Sequence, residues 1–229
     1  MRASLPLASP THSRGIALIA GLLLMSSMVI LGLAVATGML LERRMASNFG
    51  DQQLALERAE LAGRWAQYWL QSRSANPLDD TCSEDCGPTP PIFNAGQLPA
   101  APESEPIAWW QLNAVSAGQE PDTGDSRIDY TLPGTDDPLW LIEEIHLQPL
   151  EGIIPEPGDP EPTLGYYRVL GRGSGRLPGS VAVTEIVIAR PWAASLTPAS
   201  FPPWSDETWF CEQVPGDVPC GRQAWRRRR

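Results

Sequence analysis

From residue 16 to residue 41 the chain reads IALIAGLLLMSSMVILGLAVATGMLL, with no charged residue and no proline. The run exceeds the roughly 20 residues that a helix needs to cross bilayer hydrocarbon. The pattern predicts a membrane-spanning helix. Residues 42–72 follow without a proline and with many good helix formers, which predicts that the helix continues to about Ser72. Within that continuation Ala55, Ala59, Ala62, Ala66 and Trp69 recur at alternating spacings of four and three. They form a narrow face of small residues, suited to close packing and ending in an aromatic. Trp65, Tyr68 and Trp69 at its end predict a helix that covers a sheet of its own domain. Gly50, beside Asn48 and Asp51, is the expected point of loosening between a membrane half and a body half, since glycine costs up to about 1 kcal/mol against alanine in a helix interior. Gly21, Gly32 and Gly38 offer places where neighbouring helices could approach.

Beyond Asn76 the periodicity changes. Prolines interrupt every apolar run before it could become a long helix. Three runs read as strands: LWLIEEIHL (139–147), YYRVL (166–170) and VAVTEIVIA (181–189), with a fourth candidate at 127–132. Gly171, Gly173, Gly175 and Gly179 predict a hairpin with a long flexible turn between the second and third runs, hence an antiparallel sheet. The acidic, proline-rich stretch 149–162 reads as an exposed, semi-rigid loop. The expected fold is α+β: a long N-terminal helix, transmembrane and then amphipathic, packed on a small antiparallel sheet, with Trp65, Trp69 and Ile186 in the core.

Three readings fit the apolar segment by itself. A cleaved secretory signal is suggested by Ala34-Val35-Ala36 before Thr37, although the apolar run continues past that point. A plain anchor is the second, with Arg2 and Arg14 on one side and Arg43, Arg44 and Arg58 on the other. The third is a prepilin leader, a short polar segment ending in a glycine directly before the helix, and His12-Ser13-Arg14-Gly15 followed by Ile16 has that order.

Length and charge narrow the picture. The 229 residues suit one ordinary domain plus a membrane element. A net charge of −10, with arginine as the only basic residue type besides two histidines, argues against nucleic acid as a partner. Four cysteines, Cys82, Cys86, Cys211 and Cys220, lie in the loop-rich region, as expected of a disulfide-permissive compartment such as the periplasm. Three pairings exist, and the two local pairs are expected because each closes a turn-rich loop. A zinc site is disfavoured, because C-x3-C with C-x8-C is not a usual ligand spacing.

Catalytic patterns are absent from the sequence. His146 stands beside Glu143 and Glu144 in a strand pattern and reads as a solvated face. Ser174 and Ser180 lack the G-x-S-x-G frame, and Asp122, Asp125 and Asp129 do not follow the calcium-loop order. No cofactor and no enzymatic activity are expected. The segment from Pro191, with Trp192, Trp204, Trp209 and Trp225 and a final run of arginines, reads as a strap burying aromatic rings or as a contact surface.

Taken in order, RGIALI at the helix start, then LLERRMASN, DQQLALERAE and an aromatic-rich helix end resemble the N-terminal region of PilX-type minor pilins. The similarity covers residues 14–69, with a weaker likeness at YYRVLGRGSGRLPGSVAVTEIVIAR (166–190). The resemblance implies a leader (1–15) cut after Gly15 by a prepilin peptidase, and methylation at Ile16. It implies a helix (16–41) in the bacterial inner membrane, an amphipathic continuation (42–72) and a periplasmic β domain (73–229). Assembly into a type IV pilus would then proceed by helix packing with other minor pilins, the major pilin and a tip adhesin, to nucleate or cap the filament. In major pilins the fifth mature residue is a glutamate; counting from Ile16, that position is Ala20. A tip pseudopilin of type II secretion, which also lacks this glutamate, is an alternative, as is a membrane-anchored periplasmic binding or scaffold protein.

Overall fold

A computed structural model describes residues 13–73, 92–119, 130, 132–177, 179–199 and 209–228. The chain forms two compact units, Met1–Phe49 and Gly50–Arg229. Helix α1, Ser13–Ser72, supplies the described part of the first unit and the opening element of the second. It is helical through Gly50, where nothing lies within 4 Å of an added Cβ.

The second unit is an α+β domain. Its sheet has five antiparallel strands in sequence order: β1 (Val115–Ser116), β2 (Leu139–Pro149), β3 (Thr163–Ser174), β4 (Val181–Trp192) and β5 (Gly221–Arg228). Two short helices, α2 (Ile107–Asn113) and α3 (Trp209–Glu212), lie in the connections. The three central strands are those expected from their branched and aromatic content, each extended by several residues. The fourth candidate, 127–132, falls almost wholly outside the described residues, and Leu132 itself is not in a strand. The stretch 150–162 forms turns and extended chain, with Ile154 91% exposed.

The arginine-rich end takes a regular form that neither reading of the tail specified. Residues Gly221–Arg228 pair with β4 as the fifth strand, with Ile186 opposite Trp225 and Glu185 opposite Arg226. The sequence GRQAWRRR carries little β-branched content, so strand propensity gave no signal. Pairing with β4, a tertiary effect, decides the conformation.

The glycine expectation also needs correcting. Gly171 and Gly173 are inside β3, paired with Thr184 and Ala182, and the turn is confined to about residues 175–180. Their role is close approach. A Cβ at Gly171 would fall onto the Ala59 carbonyl oxygen, and one at Gly173 onto the Ala55 carbonyl and the Ala59 amide. The helix offers the matching surface: Ala55, Ala59, Ala62 and Ala66 are at most 1% exposed, and at Gly63 an added Cβ would stand 2.8 Å from Ile186 Cδ1. Small residues on both partners therefore let the backbone of α1 rest on the backbone of β3. The Thr184 hydroxyl, buried in the seam, donates to the Ala59 carbonyl at 3.2 Å.

Farther along α1 the small residues give way to rings. Trp65, Trp69 and Leu70 join Ile92, Trp140, Ile142, Tyr167, Val169, Ile186 and Ile188 in the main core. Trp69 and Trp140 pack with ring centroids 5.6 Å apart, and Trp192 donates to the Tyr167 hydroxyl at 2.9 Å. Arg190, 2% exposed, lies with its guanidinium 3.4 Å from the centre of the Trp192 ring and donates to the Arg73 carbonyl at 2.7 Å. A cation thus meets the carbonyl end of the helix, where it is favoured.

The seam makes a contrast in glycine substitution. Gly173→Val is expected to lower the unfolding free energy of the full chain in detergent by about 3 kcal/mol, because neither backbone can retreat. Gly50→Ala is expected to leave it unchanged or to raise it by up to about 1 kcal/mol. Urea unfolding followed by tryptophan fluorescence checks both.

Candidate assembly interface

In the first unit, the large apolar side chains of α1 from Ile16 to Phe49 are 56–75% exposed. An apolar surface all round a helix belongs in lipid or among other helices. Its few polar groups are already satisfied: the hydroxyls of Ser26, Ser27 and Thr37 donate to the carbonyls of Leu23, Leu24 and Ala34 at 3.0, 2.8 and 2.9 Å. No donor of these three is left needing water, which is what an apolar medium demands. Gly21, Gly32 and Gly38 have nothing within 4 Å of an added Cβ, so a neighbouring helix can approach there.

Gly15 and Ile16 lie in the first turns of α1, with Ile16 71% exposed. Ala20 follows about one turn later. No carboxylate occurs from Ile16 to Leu41, and the first is Glu42. The small-residue face of Ala55, Ala59, Ala62 and Ala66 lies on the sheet of its own domain.

Two charged residues of the helix, in stretches quoted for their family likeness but given no role by sequence reasoning, hold the body together. Asp51, 8% exposed, accepts the backbone N–H of Arg176 at 2.6 Å and that of Leu177 at 3.0 Å, closing the β3–β4 turn onto the helix. The Ser180 side chain bonds to the same carboxylate and, with these amides and Arg176, holds its pKa below the ordinary 3.8 against the opposing effect of burial. Arg58, 5% exposed, donates to the carbonyls of Tyr130 at 2.9 Å and Asp136 at 2.7 Å, fastening that loop to α1. The only signal for such latches is a charged residue next to a small-residue face, which is not specific.

Cys211 and Cys220 are joined by a disulfide, with Cα atoms 5.6 Å apart. This is the expected local pair, and it closes the loop leading into β5. Cys82 and Cys86, and likewise Asp122, Asp125 and Asp129, lie outside the described residues. His146 is exposed on β2. Nearby, burial pushes the Glu144 carboxyl above its ordinary value, with the His146 charge opposing. Among the described residues no three His, Cys, Asp or Glu side chains converge as metal ligands would.

Residues 14–62 match the family model of the PilX N-terminal domain. The N-terminal region is similar to that of PilX-type pilins. Curated proteins and solved structures give no match. The PilX-type region begins at the Arg14-Gly15 junction and includes the exposed apolar helix, Asp51, Arg58 and three of the four seam alanines. It relates the chain to type IV pilus components, a family of structural rather than catalytic proteins, which associate with other pilus components. An apolar N-terminal helix that can anchor in a membrane agrees with that family.

The Asp51 latch has a pH signature. Its folded-state pKa is depressed, so its contribution is complete above the unfolded value near 4 and is lost as pH falls through the folded value. Asp51→Asn is expected to lower the urea midpoint at pH 7, and the gap to the unaltered protein should narrow steadily as pH falls below about 4. Unfolding curves of the two proteins at a series of pH values check this.

Proposed function

We propose that the protein is a minor pilin that takes part in assembling a type IV pilus, nucleating or capping the filament with other minor pilins. The observation that carries this reading is the PilX-type match over 14–62, which begins at the cleavage-like junction and includes the whole apolar helix. In this reading a prepilin peptidase cuts after Gly15, and the new N-terminus at Ile16 is methylated. The helix anchors the subunit in the inner membrane, single-pass, with the domain from Gly50 onward in the periplasm. The Cys211–Cys220 disulfide supports an oxidising compartment for that domain. Extraction from the bilayer would then exchange lipid contacts of the exposed face for contacts with the helices of neighbouring subunits.

Ala20 supports a place at the end of the filament. A carboxylate in lipid needs a cationic partner, such as the N-terminal amine of the subunit ahead. A subunit without that carboxylate has no such tie to make, which suits a position with no subunit ahead of it. The same observation favours, as a second reading, a tip pseudopilin of a type II secretion system.

Intact mass and N-terminal peptide mapping of the protein from membranes, with and without an active prepilin peptidase, test the reading. The expected result is a methylated start at Ile16 only where the peptidase is active. A start at Thr37, or an uncut chain in both strains, would overturn it in favour of a secreted or merely anchored protein.

A further inference from the structure

The sheet has two edges, and they are treated differently. On the β2 side, β1 pairs with Leu139 and Trp140, and Phe93 exchanges backbone hydrogen bonds with Ile142 and Glu144 at 2.8 Å each. That edge is covered along much of its length. On the other side, β5 is the last strand, and residues 222–227 are exposed. An edge strand carries outward-pointing N–H and C=O groups that can template another strand.

The two faces of β5 carry different charge. On the face away from the helix, Glu185 lies between Arg226 and Arg228, at 2.7 Å from each, and Arg228 reaches Glu103 at 2.9 Å, so charge is balanced there. On the helix side are Arg222, Trp225 and Arg227, opposite Ile188, Ile186 and Thr184. Arg222 and Arg227 are exposed, and among the described residues neither makes an ion pair. Trp225 is 45% exposed. With Glu60, Arg64, Ile186 and Arg222 it lines a cleft of about 270 Å³ between α1 and the strand. Charge alone would suffice to keep an edge from pairing. An exposed indole set between the charges, beside a cleft, has the composition common at recognition surfaces.

We propose that β5 is a docking edge for an extended acidic segment of a neighbouring filament subunit, which adds to the sheet as a sixth strand. Main-chain hydrogen bonds to β5 hold the segment, and its helix-side residues alternate to place carboxylates on Arg222 and Arg227 and one apolar side chain against the exposed ring of Trp225. The chain has a net charge of −10, so this basic pair, without an ion pair among the described residues, stands out and matches a partner of opposite charge. The proposal rests on the reading of the protein as a pilus subunit. Its failure would leave the N-terminal mapping untouched, and the reverse also holds.

The test uses the full chain in detergent and a fluorescent strand-forming peptide that alternates glutamates with a central isoleucine on one face. The expected result is saturable binding by anisotropy, with slowed hydrogen exchange of β5 amides. Arg222→Glu with Arg227→Glu should weaken binding roughly tenfold or more, by removing two exposed ion pairs. A peptide N-methylated at alternate amides, tested on the unaltered protein, should not bind. No binding of the parent peptide overturns the proposal. Binding that survives N-methylation also overturns it, because the edge would then attract charge without pairing. Preferential binding to vesicles rich in anionic lipid, with none to the peptide, would reassign the arginines to a membrane surface.

Discussion

Backbone lies on backbone where α1 meets β3, and the domain depends on that seam. Most helices rest on sheets through layers of side chains. Here Ala55, Ala59 and Gly63 on one partner meet Gly171 and Gly173 on the other, so the helix comes close enough for Thr184 to reach the Ala59 carbonyl. The approach has two consequences. It sets α1 at a fixed height over the sheet, so that Trp65 and Trp69 enter the space among Trp140, Tyr167 and Ile186. It also brings Asp51 over the β3–β4 turn, and Arg58 under the loop of Tyr130 and Asp136, so two charged latches close around the small-residue contact.

The same helix does different work in its two stretches. Residues 50–72 give one face to the sheet, while the apolar surface from Ile16 to Phe49 has no partner among the described residues. Satisfied hydroxyls and open glycines suit that surface first to lipid and then to other helices. The PilX-type match extends over both stretches, and the structure gives a physical reason for such a unit. In the proposed reading the apolar stretch supplies assembly contacts, while the seam residues belong to the folded body.

Much of this was legible in the sequence. The apolar run, its helical continuation, the alanine spacing and the three central strands each carry a periodic signal, and burial of Ala59, Trp69 and Ile186 follows from it. The glycines of β3 are ambiguous in the sequence because glycine has two uses, turn freedom and close approach, and only the helix above distinguishes them. β5 escaped notice because GRQAWRRR becomes a strand through pairing with β4 and not through its own propensity. Asp51 and Arg58 look like ordinary helix-surface charges until the loops they hold are placed. For the assembly site, the sequence order of junction, helix and motifs was informative, whereas the edge strand was not, since an edge exists only once strands are ordered in space.

The central claim is that the exposed apolar stretch of α1 packs against other pilus subunits while the alanine face stays committed to its own sheet. Site-specific photo-cross-linking in cells with an active pilus machinery tests it most directly, with a photoreactive residue placed in turn at Leu31, Met39 and Ala62. Adducts to other pilin subunits are expected from positions 31 and 39, with only intramolecular products from 62. Lipid adducts alone from 31 and 39, in cells assembling pili, would contradict it and leave a membrane anchor with no place in a filament.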